Sequence, residues 1–451
     1  MKHVAVMSFT TSIGLLTLFA VDLVDMIFIS MLGNDALAAA VGYAGTLLFF
    51  TNAINIGLSI AAGTLVAKAL GADNETDARE YATSVAVFAA LIGVMIPFLA
   101  WSNLGTLFTA LGAKGDAQAL AIEYAAIILP SMAVMGLAMN GMAILRAYGD
   151  ARRSMMATVA GGVINAILDP IFIFVFDWEL AGAAYASLVA RLVIAFFALW
   201  PAITRYRAYA RPSFDLVRRD IGAVFAIAGP AMMTNVATPV GSAIMTREIA
   251  KYGTEAVAGM AVIGRLTPVA FSVMFALSGA IGPIIGQNAG AKLFDRVKGA
   301  FTEGIKFMAA YVIVVSAALF LLRAPIADMF MAQGETRTLI YLFCGPLALA
   351  GFFNGVLFTS NAVFNNLGHP IYSTWLNWGR HTIGTWPPIV ILSSFGASGV
   401  LIGQALGGVI FAAIAFMLVR RVNAQLDTTA PDAQGFGIHQ RIHMLFARGR
   451  W

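Results

Sequence analysis

Twelve long, predominantly apolar runs constrain this chain more than any other feature. A helix needs about 20 such residues, at 1.5 Å each, to cross a bilayer. The runs fall at about 4–32, 36–67, 81–101, 118–145, 154–176, 179–201, 222–250, 255–288, 300–322, 338–364, 371–394 and 397–419. None alternates with period two, which argues against a β-barrel. Charged residues make up 11% of the chain, where a soluble domain carries about 25%, so they are too few to coat a water-facing surface. The expected fold class is an all-α integral membrane protein with twelve transmembrane helices. Several runs exceed the minimum length, which permits tilt or protrusion.

Basic residues orient the set. With the N-terminus in the cytoplasm, 20 of the 28 Lys and Arg fall on that side and 4 on the other (Lys114, Lys251, Arg323, Arg337), leaving Arg191, Arg247, Arg265 and Arg380 inside spans. That bias favours both termini in the cytoplasm of a multi-pass membrane protein. The basic charge is dispersed in short loops, so nucleic acid is not an expected partner. Cys344 is the only cysteine, which excludes an intrachain disulfide and a thiolate zinc cluster. The first run follows Lys2 directly, continues past any signal-peptide cleavage point and carries two aspartates, so it reads as a span.

The chain repeats itself. LGADNETDAREYA around Gly71 aligns with NAGAKLFDRVKGAF around Gly290 at an offset of 219, and LRAYGDARRS aligns with NNLGHPIYS at the same offset. GNDALAAAVG matches GTEAVAGMAVIG within one residue of it. Six spans are an even number, so both copies enter the membrane the same way round, related by an axis along its normal. The expected organisation is an N-terminal lobe over 1–201, a cytoplasmic basic linker over 202–221, a C-terminal lobe over 222–420 and a basic cytoplasmic tail over 421–451.

Ionisable groups inside spans mark ion or substrate pathways. In the first half these are Asp22 and Asp25 in span one, Asp169 with the amide Asn165 in span five, and Arg191 in span six. Counting residues from the outer ends places Asp25, Asp169 and Ser187 at one level, about 10–12 Å below the surface. Asn165 and Asp169 are four apart and share a helix face. Two carboxylates, an amide and a hydroxyl make a hard-oxygen set suited to Na⁺ or to a proton shared between acids. The alternative is that each group only bonds neighbouring helices together. Asp22 is either a second acid of the site or a partner for Arg191. At the repeat-related positions stand Met245 for Asp25 and Pro387 for Asp169, so ion chemistry is expected in the first half alone. Arg191 of the first half and Arg265, Arg380 and His381 of the second are candidates for substrate contact or gating, and Arg247 and Glu248 for the outer mouth. No GxxxxGK[ST], HExxH or GxSxG pattern is present, which argues against ATP-driven transport and intramembrane hydrolysis.

The stretches VDMIFISMLGNDALAAAVG, LVAKALGADNETDARE, LRAYGDARRSMMATVAGGVINAILDPIFIF and GAAYASLVAR resemble the multidrug and toxic-compound extrusion (MATE) transporters, within them the bacterial branch typified by the DNA-damage-inducible F proteins. The resemblance runs from about residue 5 to 420. It implies two pseudo-symmetric six-helix lobes and antiport of amphipathic, often cationic, small molecules against H⁺ or Na⁺. It also implies coupling residues in the first lobe, which carry over to Asp25, Asn165, Asp169 and Ser187; Ser187 stands where a Thr is usual, and Asp22 is an additional acid. No cofactor besides the coupling ion is implied, and a monomer in the lipid bilayer is expected. The rival within the same superfamily is a lipid-linked precursor flippase with a cationic cavity; a membrane enzyme or channel is a third reading.

Overall fold

The computed structural model describes residues 2–32 and 35–428; a few side chains inside the first two helices, that of Asp22 among them, lie outside the described residues. Among the described residues all regular structure is helical. Eight helices are each long and apolar enough to cross a membrane. Two bent pairs, Gly115–Ile128 with Ser131–Ala147 (50°) and Thr254–Ala270 with Ser272–Gly290 (45°), each cross together. The first helix, Lys2–Met31, and the broken segment Pro370–His381 with Trp386–Ile391 complete twelve spans.

Spans four, eight, ten and eleven are interrupted where the sequence reads as continuous, because proline removes an amide donor and crowds the preceding turn. Pro130 stands at the first break, Pro268 shortly before the second, Gly345–Pro346 inside span ten, and Pro387–Pro388 in span eleven. Of the segment expected as a linker, residues 205–213 are non-helical and the rest of its C-terminal part already belongs to Phe214–Ile249, whose start is capped by Ser213. The last span, Gly396–Thr428, runs into the expected tail; the remainder of the tail lies outside the described residues.

The backbone carries the repeat. Left-handed residues, rare outside glycine, recur 219 positions apart in five pairs: Asp73 and Lys292, Gly112 and Met331, Gly115 and Gly334, Gly149 and Gly368, Asp177 and Gly396. Each pair ends or begins a corresponding helix in the two lobes. The lobes meet near the ends that carry the turns after Gly71 and Gly290. There Gly71 faces the carbonyl of Gln287 and Gly290 that of Lys68, each with no room for a Cβ. Gln287 Nε2 donates to the Ala147 carbonyl at 2.6 Å, and Ser84 Oγ to Asp220 at 2.7 Å, both across the lobe boundary.

The second lobe has one continuous apolar core, from Met245 to Val422. The first has separate cores, one around Ile29, Phe108, Leu129 and Ile173 and others around Leu58, Val85 and Ile194. The break between them falls at the level of Asp25, Ser131, Asp169 and Ser187.

Candidate functional site

Span five reaches its neighbours closely because Gly161 and Gly162 carry no side chain. A Cβ on Gly161 would strike Ile194 of span six, and one on Gly162 would meet Thr17 of span one. Small residues that let backbones approach are the usual device for packing helices in lipid. One and two turns later on the same helix come Asn165 and Asp169, so the glycine pair determines how near those groups lie to spans one and six.

Asn165 Nδ2 donates to Asp169 Oδ2 at 2.6 Å, as their four-residue spacing predicts. Asp169 is fully buried and Asn165 nearly so. Asp25 and Asp169 lie close enough for their carboxyl groups to interact with each other. Asp25 Oδ1 and Asp169 Oδ1 are buried and without a hydrogen-bond partner. Two bare carboxylates at such range would repel by about 4 kcal/mol even at a screened interior dielectric. Orphaned buried oxygens add a further desolvation penalty. The arrangement therefore has room, electrostatically, for one positive charge.

Asp25, Asn165, Ser187 and Arg191 all line one cavity of about 390 Å³, with Phe49, Asn52, Met132 and Met135 opposite. Arg191 Nη1 donates to Ser131 Oγ at 2.6 Å and to the Ile128 carbonyl at 3.3 Å, at the break in span four. The helix of span five continues through Pro170 and then widens into a π turn, Ile171–Val175, closed by Phe176 N on the Ile171 carbonyl at 2.9 Å. The change from α to π hydrogen bonding thus falls after the site, toward the outer end of the helix.

The second-lobe candidates form a separate group. Arg380 donates to Asn354 Oδ1 at 2.6 Å, and its Nη2 lies 2.8 Å from His381 Nε2, which must accept because guanidinium only donates. Gly241 of span seven packs on the imidazole. Arg265 is exposed and joins neither group. Glu248 pairs with Lys251 at 2.5 Å rather than with its neighbour Arg247. Sequence reasoning missed Asn354 and Ser131, the acceptors that hold Arg380 and Arg191; both are ordinary polar residues, distant along the chain from the arginines they bind.

Among the described residues no group of three or more His, Cys, Asp or Glu is placed to hold a metal.

The MatE family model matches residues 11–171 and 230–384, two matches that start 219 residues apart, as the internal repeat does. The FAD transporter of Shewanella oneidensis is 26% identical over 434 residues, covering 94% of this chain and 96% of its own length. The multidrug export protein MepA of Staphylococcus aureus (strain N315) is 22% identical over 410 residues, 81% of this chain and 88% of its own. Among solved structures, the Vibrio cholerae MATE transporter VcmN superposes with a TM-score of 0.89 at 24% identity, over 94% of this chain and 97% of that one. With a matching model in each lobe and twelve spans in two pseudo-symmetric halves, the chain belongs to the MatE family of membrane transporters.

Proposed function

We propose that the chain is a secondary antiporter of a bacterial inner membrane. In this reading it exports amphipathic, often cationic compounds in exchange for H⁺, with Na⁺ the alternative coupling ion. One observation carries the proposal: Asp25 and Asp169 meet in the first lobe with one buried oxygen of each left without a partner. Two interacting buried carboxyl groups support the proton, because one proton held between them relieves both their repulsion and the cost of burying their charge. Asn165 holds the Asp169 carboxyl in place, and Ser187 supplies a hydroxyl on the same cavity wall.

With both termini in the cytoplasm, the lobe contact around Gly71 and Gly290 is the closed cytoplasmic end, and the cavity is served from the periplasm. An entering ion neutralises the acid pair, span one repacks against its neighbours, and cargo leaves. The return through the other conformation gives the ion to the cytoplasm and takes up new cargo. Coupling follows because ion and cargo favour opposite states. The test is dye efflux in inverted vesicles with a proton or a sodium gradient imposed separately. Asp25→Asn and Asp169→Asn are expected to insert normally and to lose gradient-driven efflux under both conditions. Wild-type efflux by either variant would overturn the assignment.

A second reading has anionic cargo. Arg191 places a guanidinium on the 390 Å³ cavity, and the Shewanella relative is named for FAD. Efflux of a flavin nucleotide in the same vesicles, lost in Arg191→Gln and retained for a cationic dye, would favour it. The flippase reading draws less support, since Arg380 is engaged by Asn354 and His381 and Arg265 stands apart from both clusters.

A further inference from the structure

On the outward surface of the first lobe, at the end away from the lobe contact, spans four, five and six enclose a second hollow of about 600 Å³. Its walls are Phe172, Trp178, Tyr185, Leu188 and Val189, and Glu123 is its one charged lining residue. Glu123 is exposed and has no ion pair or hydrogen bond among the described residues. It stands eight residues inside Gly115–Ile128, about 12 Å from that helix's start. Its charge is the one the lining of the hollow offers to a ligand.

The rings are fixed in place. Phe172 lies 5.3 Å from Trp178 between centroids, and Trp178 lies 5.6 Å from Tyr185. The backbone turn between them is closed by Trp178 N donating to the Phe172 carbonyl at 3.1 Å. Span six touches this turn through Gly182, where a Cβ would come within 2.7 Å of the Phe172 carbonyl carbon and oxygen. An interfacial aromatic belt accounts for Trp178 and Tyr185. It gives no reason for a carboxylate lining the same hollow.

We propose that this hollow is a binding site for an amphipathic organic ammonium ion, distinct from the inner cavity. Aromatic faces attract a cation, most strongly where water is excluded. Glu123 supplies the opposite charge, Leu188 and Val189 supply an apolar floor, and the volume suits a drug-sized molecule. Span six separates the two sites: Ser187 and Arg191 line the inner cavity, while Tyr185, Leu188 and Val189 line the outer hollow. The proposal does not depend on which ion drives transport.

The test is ethidium binding to the full chain in nanodiscs of phosphatidylglycerol alone, followed by fluorescence anisotropy. Glu123→Gln and Trp178→Leu are each expected to weaken a saturable component at least tenfold. Glu123→Asp should stay within about threefold of wild type, and Asp25→Asn should keep the component, which separates this site from the coupling site. Binding of a neutral amphipathic dye should not respond to Glu123→Gln. Unchanged ethidium binding in both Glu123→Gln and Trp178→Leu would overturn the proposal, as would loss of the component in Asp25→Asn. Displacement of ethidium by phosphatidylethanolamine added to the nanodiscs would assign the hollow to a lipid headgroup instead of a solute.

Discussion

Asn165 has one visible task, to present its amide to Asp169 at 2.6 Å. Removing it leaves another buried carboxyl oxygen unpaired, a penalty of roughly 1–3 kcal/mol. Asn165→Ala should therefore lower gradient-driven efflux by tenfold or more, whereas Ser187→Thr, which keeps the oxygen, should stay near wild type; the vesicle assay reads both. A different residue outside the membrane gives a stability prediction. Tyr206 donates to Asp150 Oδ2 at 2.7 Å, and Asp150 also caps the helix of span five. Burial first, and then Asp150, pushes the Tyr206 phenol up to about 12. A phenol that holds its proton more tightly when folded contributes fully below its ordinary value near 10, and that contribution fades as pH rises through about 12. Tyr206→Phe should thus lower the melting temperature in detergent by a margin that is constant between pH 6 and 9. The acid site itself was legible from counting depth along three helices, because helical rise is fixed and the spans start near a common plane. Where Arg191 and Arg380 would turn was not legible, since Ser131 and Asn354 become their acceptors only once distant spans pack.

At the scale of an element, span five is built around Gly161 and Gly162, which bring its backbone against spans one and six two turns before Asp169. Gly162→Val would push Thr17 and Val21 outward and widen the gap between Asp25 and Asp169. Overpacking of this kind costs about 1–3 kcal/mol. The expected result is a lower melting temperature together with loss of gradient-driven efflux; loss of stability with full efflux would show that the spacing of spans one and five does not matter to coupling. Element identity followed from run length alone. The breaks in spans four and eleven had a signal in Pro130, Pro387 and Pro388, but length and apolarity do not weigh a proline against the packing around it. The π turn follows Pro170 directly, and Gly182 of span six packs against the Phe172 carbonyl within it; the sequence marks the proline but not the widening of the helix.

For the whole molecule, two glycines related by the repeat sit on opposite sides of one joint. Gly71 abuts the Gln287 carbonyl and Gly290 the Lys68 carbonyl, backbone against backbone, where the lobes converge. A side chain at either position fits only if the lobes separate there, so it penalises one conformation and leaves the other untouched. An overpacking penalty of roughly 1–3 kcal/mol on the closed form alone shifts the populations by about 5- to 150-fold. Spin labels at Thr76 and Asp295, equivalent turn positions in the two lobes and both exposed, report the opening of this end. Cys344 is buried and is replaced by Ala so that labelling is confined to the two sites. Gly71→Leu and Gly290→Leu should each move the inter-label distance distribution to longer values, and the double variant further. Both should retain Asp25-dependent protection of the site from a carboxyl-reactive reagent while turning over slowly, because the return to the closed state is what has been obstructed. If the distances stay as in the parent chain, the joint is not where alternating access is decided, and the pseudo-symmetric pair of close contacts is a packing feature of this one conformation.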